Sequence, residues 1–190
     1  MIQSSELILN PDGSIYHLHL RPEHLAKTIL TVGYPDRVSA VAIHFVRIEY
    51  CFNKREFLTH TGYIGNKRLS VISTGIGPDN IDIVFNEIDA LYNIDLETRR
   101  PKSELTSLSF VRIGTSGALQ PDIPVDSFVL SSYAISWDNL FSFYEIPRSA
   151  EIRALEHALA EGVPDLPVPG LLFMAPGKLK LLFGPSFLPG

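Results

Sequence analysis

Cysteine is almost absent from this chain of 190 residues, which contains Cys51 alone. A single thiol can form neither an intrachain disulfide nor a cysteine-based zinc site, so both are excluded within one chain. Long apolar runs are lacking too, because no stretch approaches the roughly eighteen uninterrupted apolar residues of a membrane span. Residues 1–14 carry no basic segment followed by a long apolar run, so they do not resemble a signal peptide. We therefore expect a cytoplasmic protein with no membrane partner.

Positive charge is also scarce, since the formal net charge is −5. A protein that binds duplex nucleic acid usually carries a basic stripe, and this sequence has none. The densest basic cluster, ETRRPK at residues 97–102, mixes its cations with a glutamate and a proline. We interpret it as a solvated connection, and we expect no nucleic-acid partner.

Several well-known site motifs are missing. The chain has no P-loop sequence, and its GIG at residues 75–77 lacks the third glycine of the dinucleotide fingerprint. The segment GTSGA is not the nucleophile elbow G-x-S-x-G, so Ser116 is interpreted as a loop residue. His17 and His19 alternate in YHLHL and are predicted to share one face of an extended segment, but two ligands are too few for a metal. We predict no metal site and no cofactor.

What the chain does contain is typical of one globular α/β domain over residues 1–190, with 45% hydrophobic and 19% charged residues. Short β-branched runs alternate with helical patterns, which favours a mostly parallel or mixed sheet layered with helices. Strands are predicted at TILTV (28–32), FVRIEYCFN (45–53), both arms of a hairpin over 55–74, LSFVRIG (108–114), SFVLSSYAI (127–135) and GLLFM (170–174). Helices are predicted at PDRVSAVAIHF (35–45), from Asn80 onward, at SAEIRALEHALAEG (149–162) and at KLKLLF (178–183).

Three predicted strands end in similar segments, TVGYPDR, STGIGPDN and RIGTSGA. Ligands of open α/β sheets collect at the carboxyl ends of strands, where glycines let backbone N–H groups approach an anion. Arg37 and Arg112 add forked cations suited to phosphate oxygens, and Thr115 adds a hydroxyl. Together with Gly33, these residues predict a phosphate site.

Each member of this set has a simpler interpretation. A glycine after a strand is often only a turn residue. Arg37, in the first turn of a helix, opposes the helix dipole and would take either an anion or a surface salt bridge. Arg112 lies in an apolar strand, where an unpaired charge is costly, so it requires an internal carboxylate or an anionic ligand. Both alternatives stay open for each arginine.

Five segments resemble the nucleoside phosphorylase family. Among its members, they resemble the uridine phosphorylases most. They are YHLHL, TVGYPDRV, REF, VISTGIGPDNIDIVFNEIDAL and FVRIGTSGALQPDIPVDSFVL, in that order and with compatible spacing between His17 and Tyr144. The resemblance implies a three-layer αβα fold with a mixed central β-sheet. It also implies a pentosyltransferase that cleaves a nucleoside, expected to be uridine, with inorganic phosphate as co-substrate. The products would be ribose 1-phosphate and free base.

The resemblance also implies roles for individual residues. Phosphate would be bound by residues at strand ends and one turn: Gly33, Arg37, Arg55, Arg112 and Thr115. Arg37, Arg112 and Thr115 would be the catalytic members, and Thr115 would also lie near the ribose. Arg55 would come from a neighbouring subunit, and His17 would reach across the dimer to the ribose 5′-hydroxyl. We therefore expect a homodimer at least, or a larger homo-oligomer such as a hexamer.

The sequence departs from the family pattern at several positions. Tyr34 stands where the family commonly has Asp, and residues 78–79 are Pro-Asp where it has Gly-Pro. Some uridine phosphorylases hold a potassium ion between subunits. Glu56, Ile76 and Asn80 match that region, with Asn80 in place of a serine.

The chain is also shorter than the family domain. The Gln and Arg that grip a pyrimidine and the Glu-Met-Glu segment that binds ribose are not found. Residues 178–190 resemble the segment just before the base-binding loop. We therefore expect the N-terminal two-thirds or so of a fold that is incomplete at the C-terminus. Three alternatives remain: a purine nucleoside phosphorylase, a nucleosidase that uses water, and an inactive chain that binds phosphate or pairs with full-length subunits.

Overall fold

The computed structural model describes residues 1–117, 120–131, 134–136, 138, 140–144, 148–162 and 172–174. The described residues fall into two units, one ending at Thr115 and the other beginning at Ser116. The predicted helix at residues 178–183 lies outside the described residues.

The first unit is built on a five-stranded mixed sheet. Its strands are β1 (Thr28–Val32), β2 (Arg47–Lys54), β3 (Phe57–Ile64), β4 (Lys67–Ser73) and β7 (Ser109–Arg112). They lie in the order β2-β3-β4-β1-β7. The short strands β5 (Ile94–Asp95) and β6 (Arg100–Pro101) pair separately. β1 pairs in parallel with β4 and with β7, whereas β2, β3 and β4 form an antiparallel meander. The predicted hairpin is confirmed, and Gly65 adopts the positive φ of +58° that its tip requires.

Two helices cover opposite faces of this sheet, α1 (Pro35–Ala42) and α2 (Pro78–Asn93). Side chains alternate along β1, so Ile29 packs in a core with Val84 and Ile88 of α2. Val32, on the other face, packs with Val38 of α1. These two apolar clusters, one on each side of the sheet, confirm the predicted three-layer arrangement.

Helix α1 is shorter than predicted, because it ends at Ala42 rather than continuing to Phe45. The chain turns there, with the N–H of Phe45 donating to the carbonyl of Ala42. The N–H of Val46 then donates to the carbonyl of Tyr63 at 2.8 Å, so the approach to β2 is already part of the sheet. Sheet pairing thus overrides the helical pattern of the last residues.

The second unit contains β8 (Ala134–Ser136), which pairs antiparallel with β9 (Leu172–Met174), and α3 (Ala150–Gly162). A 3₁₀ helix spans Leu140–Phe143. The predicted cap of α3 is confirmed, because the N–H of Ile152 donates to the Ser149 hydroxyl at 3.2 Å. The predicted strand over 127–135 is wrong for residues 127–131, which have no ladder partner among the described residues. Across the described residues, no helix combines the length and apolar character needed to cross a bilayer.

Candidate functional site

Three loops leave the sheet at the same edge, the carboxyl ends of β4, β1 and β7. The N–H of Thr74 donates to the carbonyl of Val32, and that of Ile113 donates to the carbonyl of Thr31. Hydrogen bonding thus extends to the last residues of each strand, and the glycine-containing loops begin together. The chain crosses from β1 to β4 on one side and later returns to β7 on the other. Such a switch in strand order opens a crevice at which ligands of α/β sheets bind.

Arg37 and Thr115 meet at this edge. Arg37 lies in the first turn of α1, and its Nη2 donates to the Thr115 hydroxyl at 3.1 Å. The Arg37 guanidinium also lies 4.8 Å from the centre of the Tyr34 ring, within reach of a cation–π interaction. Arg37 is half-buried and Thr115 is exposed. The helix start therefore presents a guanidinium and a hydroxyl side by side.

Arg112 lies beside Gly33. A Cβ atom built on Gly33 would stand 3.9 Å from Nη2 of Arg112, so the guanidinium passes over the glycine. Arg112 follows Phe110 by two positions, and Phe110 packs on Phe85 of α2 with ring centroids 4.6 Å apart. The structure thus brings Gly33 and Arg112 together at the edge where Arg37 meets Thr115.

Arg112 is exposed, which differs from the predicted buried strand end. β7 is an edge strand of the described five-stranded sheet, and Val111, the residue before Arg112, is 50% exposed. Because the Arg112 side chain is exposed, desolvation does not require it to have a charged partner. Within the described ranges, no carboxylate forms an ion pair with Arg37, Arg55 or Arg112. Uncompensated guanidinium groups near the positive end of a helix dipole suit an anionic ligand.

Arg55 and His17 lie in a second cluster around Tyr16. Arg55 occupies the tight turn between β2 and β3 with a φ of +57°, and its guanidinium is 5.9 Å from the Tyr16 ring centre. The His17 ring packs edge-on against the Tyr16 ring, with the ring centroids 4.8 Å apart and an angle of 84° between the ring planes. In the described structure neither residue contacts Arg37, Arg112 or Thr115. The predicted site residues therefore form two groups within one chain.

His17 and His19 do not share a face, which corrects the prediction from YHLHL. His17 Nδ1 lies 2.7 Å from Glu87, whereas His19 Nε2 lies 3.0 Å from Asp12. The positive φ of His19, +56°, turns the chain between the two rings. Hydrogen bonds from the Ser14 hydroxyl and N–H hold the pKa of Asp12 well below its usual range. Among the described residues, no group of three His, Cys, Asp or Glu side chains could hold a metal ion.

Glu87 was missed by the sequence analysis. Its carboxylate accepts hydrogen bonds from the backbone N–H of His17 and of Leu18, both at 2.8 Å, and contacts the His17 ring. A signal was present, because Glu87 lies three residues after Val84 and directly before Ile88, both core residues of α2. A carboxylate beside core positions of a helix needs a polar partner inside the fold.

The loop after β4 brings together two residues that match the potassium region of the resemblance. Gly75 has a φ of +70°, and a Cβ there would lie 2.3 Å from Nδ2 of Asn80 and 3.2 Å from Cγ of Glu56. Only a glycine leaves room for these two side chains at this point. Ile76, the third residue of that region, is 89% exposed.

Known proteins are similar to this chain in sequence and in fold. A family profile described as the phosphorylase superfamily matches residues 27–169. A DeoD-type purine nucleoside phosphorylase of Thermoanaerobacter sp. (strain X514) is 33% identical over 116 residues, covering 60% of this chain and 44% of that protein. A uridine phosphorylase of Thermococcus kodakarensis is 29% identical over 168 residues, covering 87% of this chain and 55% of that protein.

A solved structure shares the architecture. It is a Trypanosoma brucei nucleoside phosphorylase described as showing uridine phosphorylase activity, with a TM-score of 0.77 and 27% identity. The alignment covers 89% of this chain and 57% of that one. The chain thus spans about half the length of the relatives that it matches. Since the family profile covers most of the sequence and the fold agrees, the chain belongs to the phosphorylase superfamily.

Proposed function

We propose that this chain belongs to a nucleoside phosphorylase that cleaves the N-glycosidic bond of uridine with inorganic phosphate. The observation that carries the proposal is the pair of uncompensated arginines, Arg37 and Arg112, at the switch point of the sheet. Water as the attacking group needs no such cationic cradle, which favours phosphorolysis over hydrolysis. The likeness to uridine phosphorylases over the larger part of the chain supports uridine as the nucleoside.

In the proposed reaction a phosphate oxygen forms a bond to C1′ of the ribose while the C1′–N bond breaks. The electron pair of that bond leaves with the base, which takes up a proton. Arg37 and Arg112 hold the phosphate dianion beneath the sugar through forked N–H donors. Gly33 leaves room for the anion to approach the backbone. The Thr115 hydroxyl accepts from Arg37, so its own proton is directed toward a phosphate or ribose oxygen.

We propose that the cluster around Tyr16 serves a neighbouring subunit. Arg55 and His17 do not contact the other site residues of their own chain, yet both are polar groups at the surface of the first unit. A homodimer would let Arg55 reach the neighbour's phosphate and His17 its ribose. A hexamer would be built from such dimers, and no cofactor beyond phosphate as co-substrate is proposed.

A purine nucleoside is the second candidate substrate, favoured by the 33% identity to a purine nucleoside phosphorylase. The test is a product assay on the purified full chain with uridine or inosine, with and without phosphate. Phosphate-dependent formation of ribose 1-phosphate from either nucleoside supports a phosphorylase, and the preferred nucleoside identifies the base class. Free ribose would overturn the proposal in favour of a nucleosidase.

Phosphate binding is measured separately by isothermal titration calorimetry. We expect Arg112→Ala to abolish it. Arg47→Ala is the matched control, because Arg47 is an exposed arginine already paired with Glu49 at 3.1 Å. Phosphate binding without turnover would identify an inactive chain that binds phosphate. Unchanged phosphate affinity in Arg112→Ala would show that the site is wrongly assigned.

A further inference from the structure

Glu87 and His17 form a polar contact that links α2 to the segment before the first strand. The two residues are 70 positions apart, and Oε1 of Glu87 lies 2.7 Å from Nδ1 of His17. We propose that Glu87 is a positioning residue that fixes the Nδ1–H tautomer of His17 and presents Nε2 to a hydroxyl of the nucleoside sugar. The sugar part of this inference rests on the proposed function, whereas the tautomer does not.

The hydrogen-bond pattern determines which ring nitrogen carries the proton. Both carboxylate oxygens of Glu87 face donors, since the N–H of His17 lies at 2.8 Å from Oε1 and that of Leu18 at 2.8 Å from Oε2. An ionised carboxylate is an acceptor only, so the Nδ1 atom beside it must donate. A neutral imidazole then has its lone pair on Nε2.

The ring is also held in direction. Tyr16 packs edge-on against it, and Leu18 on the following position is fully buried in the core. The His17 side chain is 25% exposed and that of Glu87 only 12%. No group among the described residues hydrogen-bonds to Nε2, so this nitrogen is the one left for a ligand. Nε2 with its lone pair can accept from a sugar hydroxyl, whose oxygen then stays free to accept in turn.

Glu87→Gln is the informative change, because it keeps the size of the side chain and replaces one oxygen by an NH₂ group. Whichever way the amide is turned, the NH₂ faces either the N–H of Leu18 or the His17 atoms. The orientation that satisfies Leu18 puts a donor beside Nδ1 and reverses the tautomer. Glu104→Gln is the matched control, since Glu104 is an exposed carboxylate away from the ring.

The tautomer is read by long-range ¹H–¹⁵N correlation NMR of the full chain labelled at histidine, in alkaline buffer. His17→Gln assigns the signal. We expect a protonated Nδ1 and an unprotonated Nε2 in the wild type and in Glu104→Gln, and loss of that preference in Glu87→Gln. A wild-type ring protonated at Nε2 would overturn the inference, and this result needs no variant of Glu87 to fold.

The sugar contact is tested with uridine and 5′-deoxyuridine as paired substrates. We expect Glu87→Gln to lower kcat/KM for uridine by about tenfold, the size of one hydrogen bond to a charged or polar group. Turnover of 5′-deoxyuridine should be nearly unchanged, because this substrate lacks the ribose 5′-hydroxyl that the family resemblance places at His17. An equal loss for both substrates would indicate general structural damage and overturn the positioning role. Absence of turnover in the wild type would instead refute the proposed function, with the tautomer still decided by NMR.

Discussion

The guanidinium of Arg37 donates to the hydroxyl of Thr115 at 3.1 Å, although 78 positions separate the two residues in the chain. The contact joins the first turn of α1 to the loop after β7, beside the parallel ladder of β1 and β7. Because the hydroxyl oxygen already accepts one hydrogen bond, its proton is available to a ligand oxygen. Arg37 thus orients Thr115 as well as supplying charge.

The first prediction concerns this hydroxyl. Thr115→Val removes the O–H but keeps the shape, so we expect phosphate affinity to fall about tenfold, as for the loss of one hydrogen bond to a charged group. Thr115→Ser keeps the hydroxyl and should retain most of the affinity. Calorimetric titration with phosphate measures both variants. Equal affinities for the valine variant and the wild type would remove Thr115 from the phosphate site.

The second prediction concerns Tyr34, the residue just before α1. Its ring holds the Arg37 guanidinium at 4.8 Å without neutralising it. A cation–π contact at such an exposed position is worth about 0.5–1 kcal/mol, so Tyr34→Leu should weaken phosphate binding by about threefold. Tyr34→Phe preserves the ring face and should bind phosphate as the wild type does. If the phenylalanine variant were as weak as the leucine variant, the ring face would not be the cause.

The third prediction concerns Gly62, in the middle of β3. A Cβ there would lie 2.3 Å from the backbone carbonyl of Arg47 and 2.7 Å from the ring of Phe45. Neither can move without disturbing the β2–β3 ladder, so Gly62→Ala should destabilise the fold by about 2 kcal/mol or more.

Urea unfolding followed by circular dichroism measures this loss. Gly114→Ala is the control, because no atom of the described residues lies within 4 Å of a Cβ at that position and its φ is not positive. Stability of Gly62→Ala within about 0.5 kcal/mol of the wild type, as for an ordinary surface change, would show that the strands are not so close.

The fourth prediction concerns the pH dependence of stability. Burial lowers the pKa of His60 below its ordinary value of 6.5, and its Nδ1 has no partner among the described residues. The unfolded chain therefore binds a proton at higher pH than the folded chain does. This contribution to stability is complete above pH 6.5 and is lost as the pH falls through the folded pKa.

His60→Gln cannot titrate, so its free energy of unfolding should fall less steeply below pH 6.5 than that of the wild type. Some slope should remain, because burial also lowers the pKa of His24. Urea titrations across this pH range measure the two slopes. Identical slopes would mean that His60 titrates alike in the folded and unfolded chains.

The strands and the strand-end loops could be predicted because local patterns carry them. TILTV is short and β-branched, and it forms β1 with the predicted bounds. The hairpin follows from Gly65 and Asn66 between two alternating segments. The proximity of Gly33 to Arg112 and of Arg37 to Thr115 could be predicted, because these residues stand at or soon after the carboxyl ends of β1 and β7, and parallel strands bring those ends to one edge.

What could not be predicted depends on the spatial order of the elements. The exposure of Arg112 follows from the outer position of β7 in the described sheet, which no local pattern specifies. The contact of Glu87 with His17 requires the register of α2 against a segment 70 residues earlier. Residues 127–131 have a strand-like composition but lack a strand to pair with among the described residues. A high strand propensity does not produce a strand where no neighbouring strand is available for pairing.

The position of β1 between β4 and β7 has a consequence for how the protein is made. A ribosome delivers β1, α1 and the meander that ends in β4 well before it delivers β7, so Arg37 emerges long before Thr115. Contacts between segments so distant in sequence form late and slowly. The edge at which we propose that phosphate binds is therefore completed only when β7 docks beside β1. Phosphate bound there would stabilise the docked position of β7 beside β1.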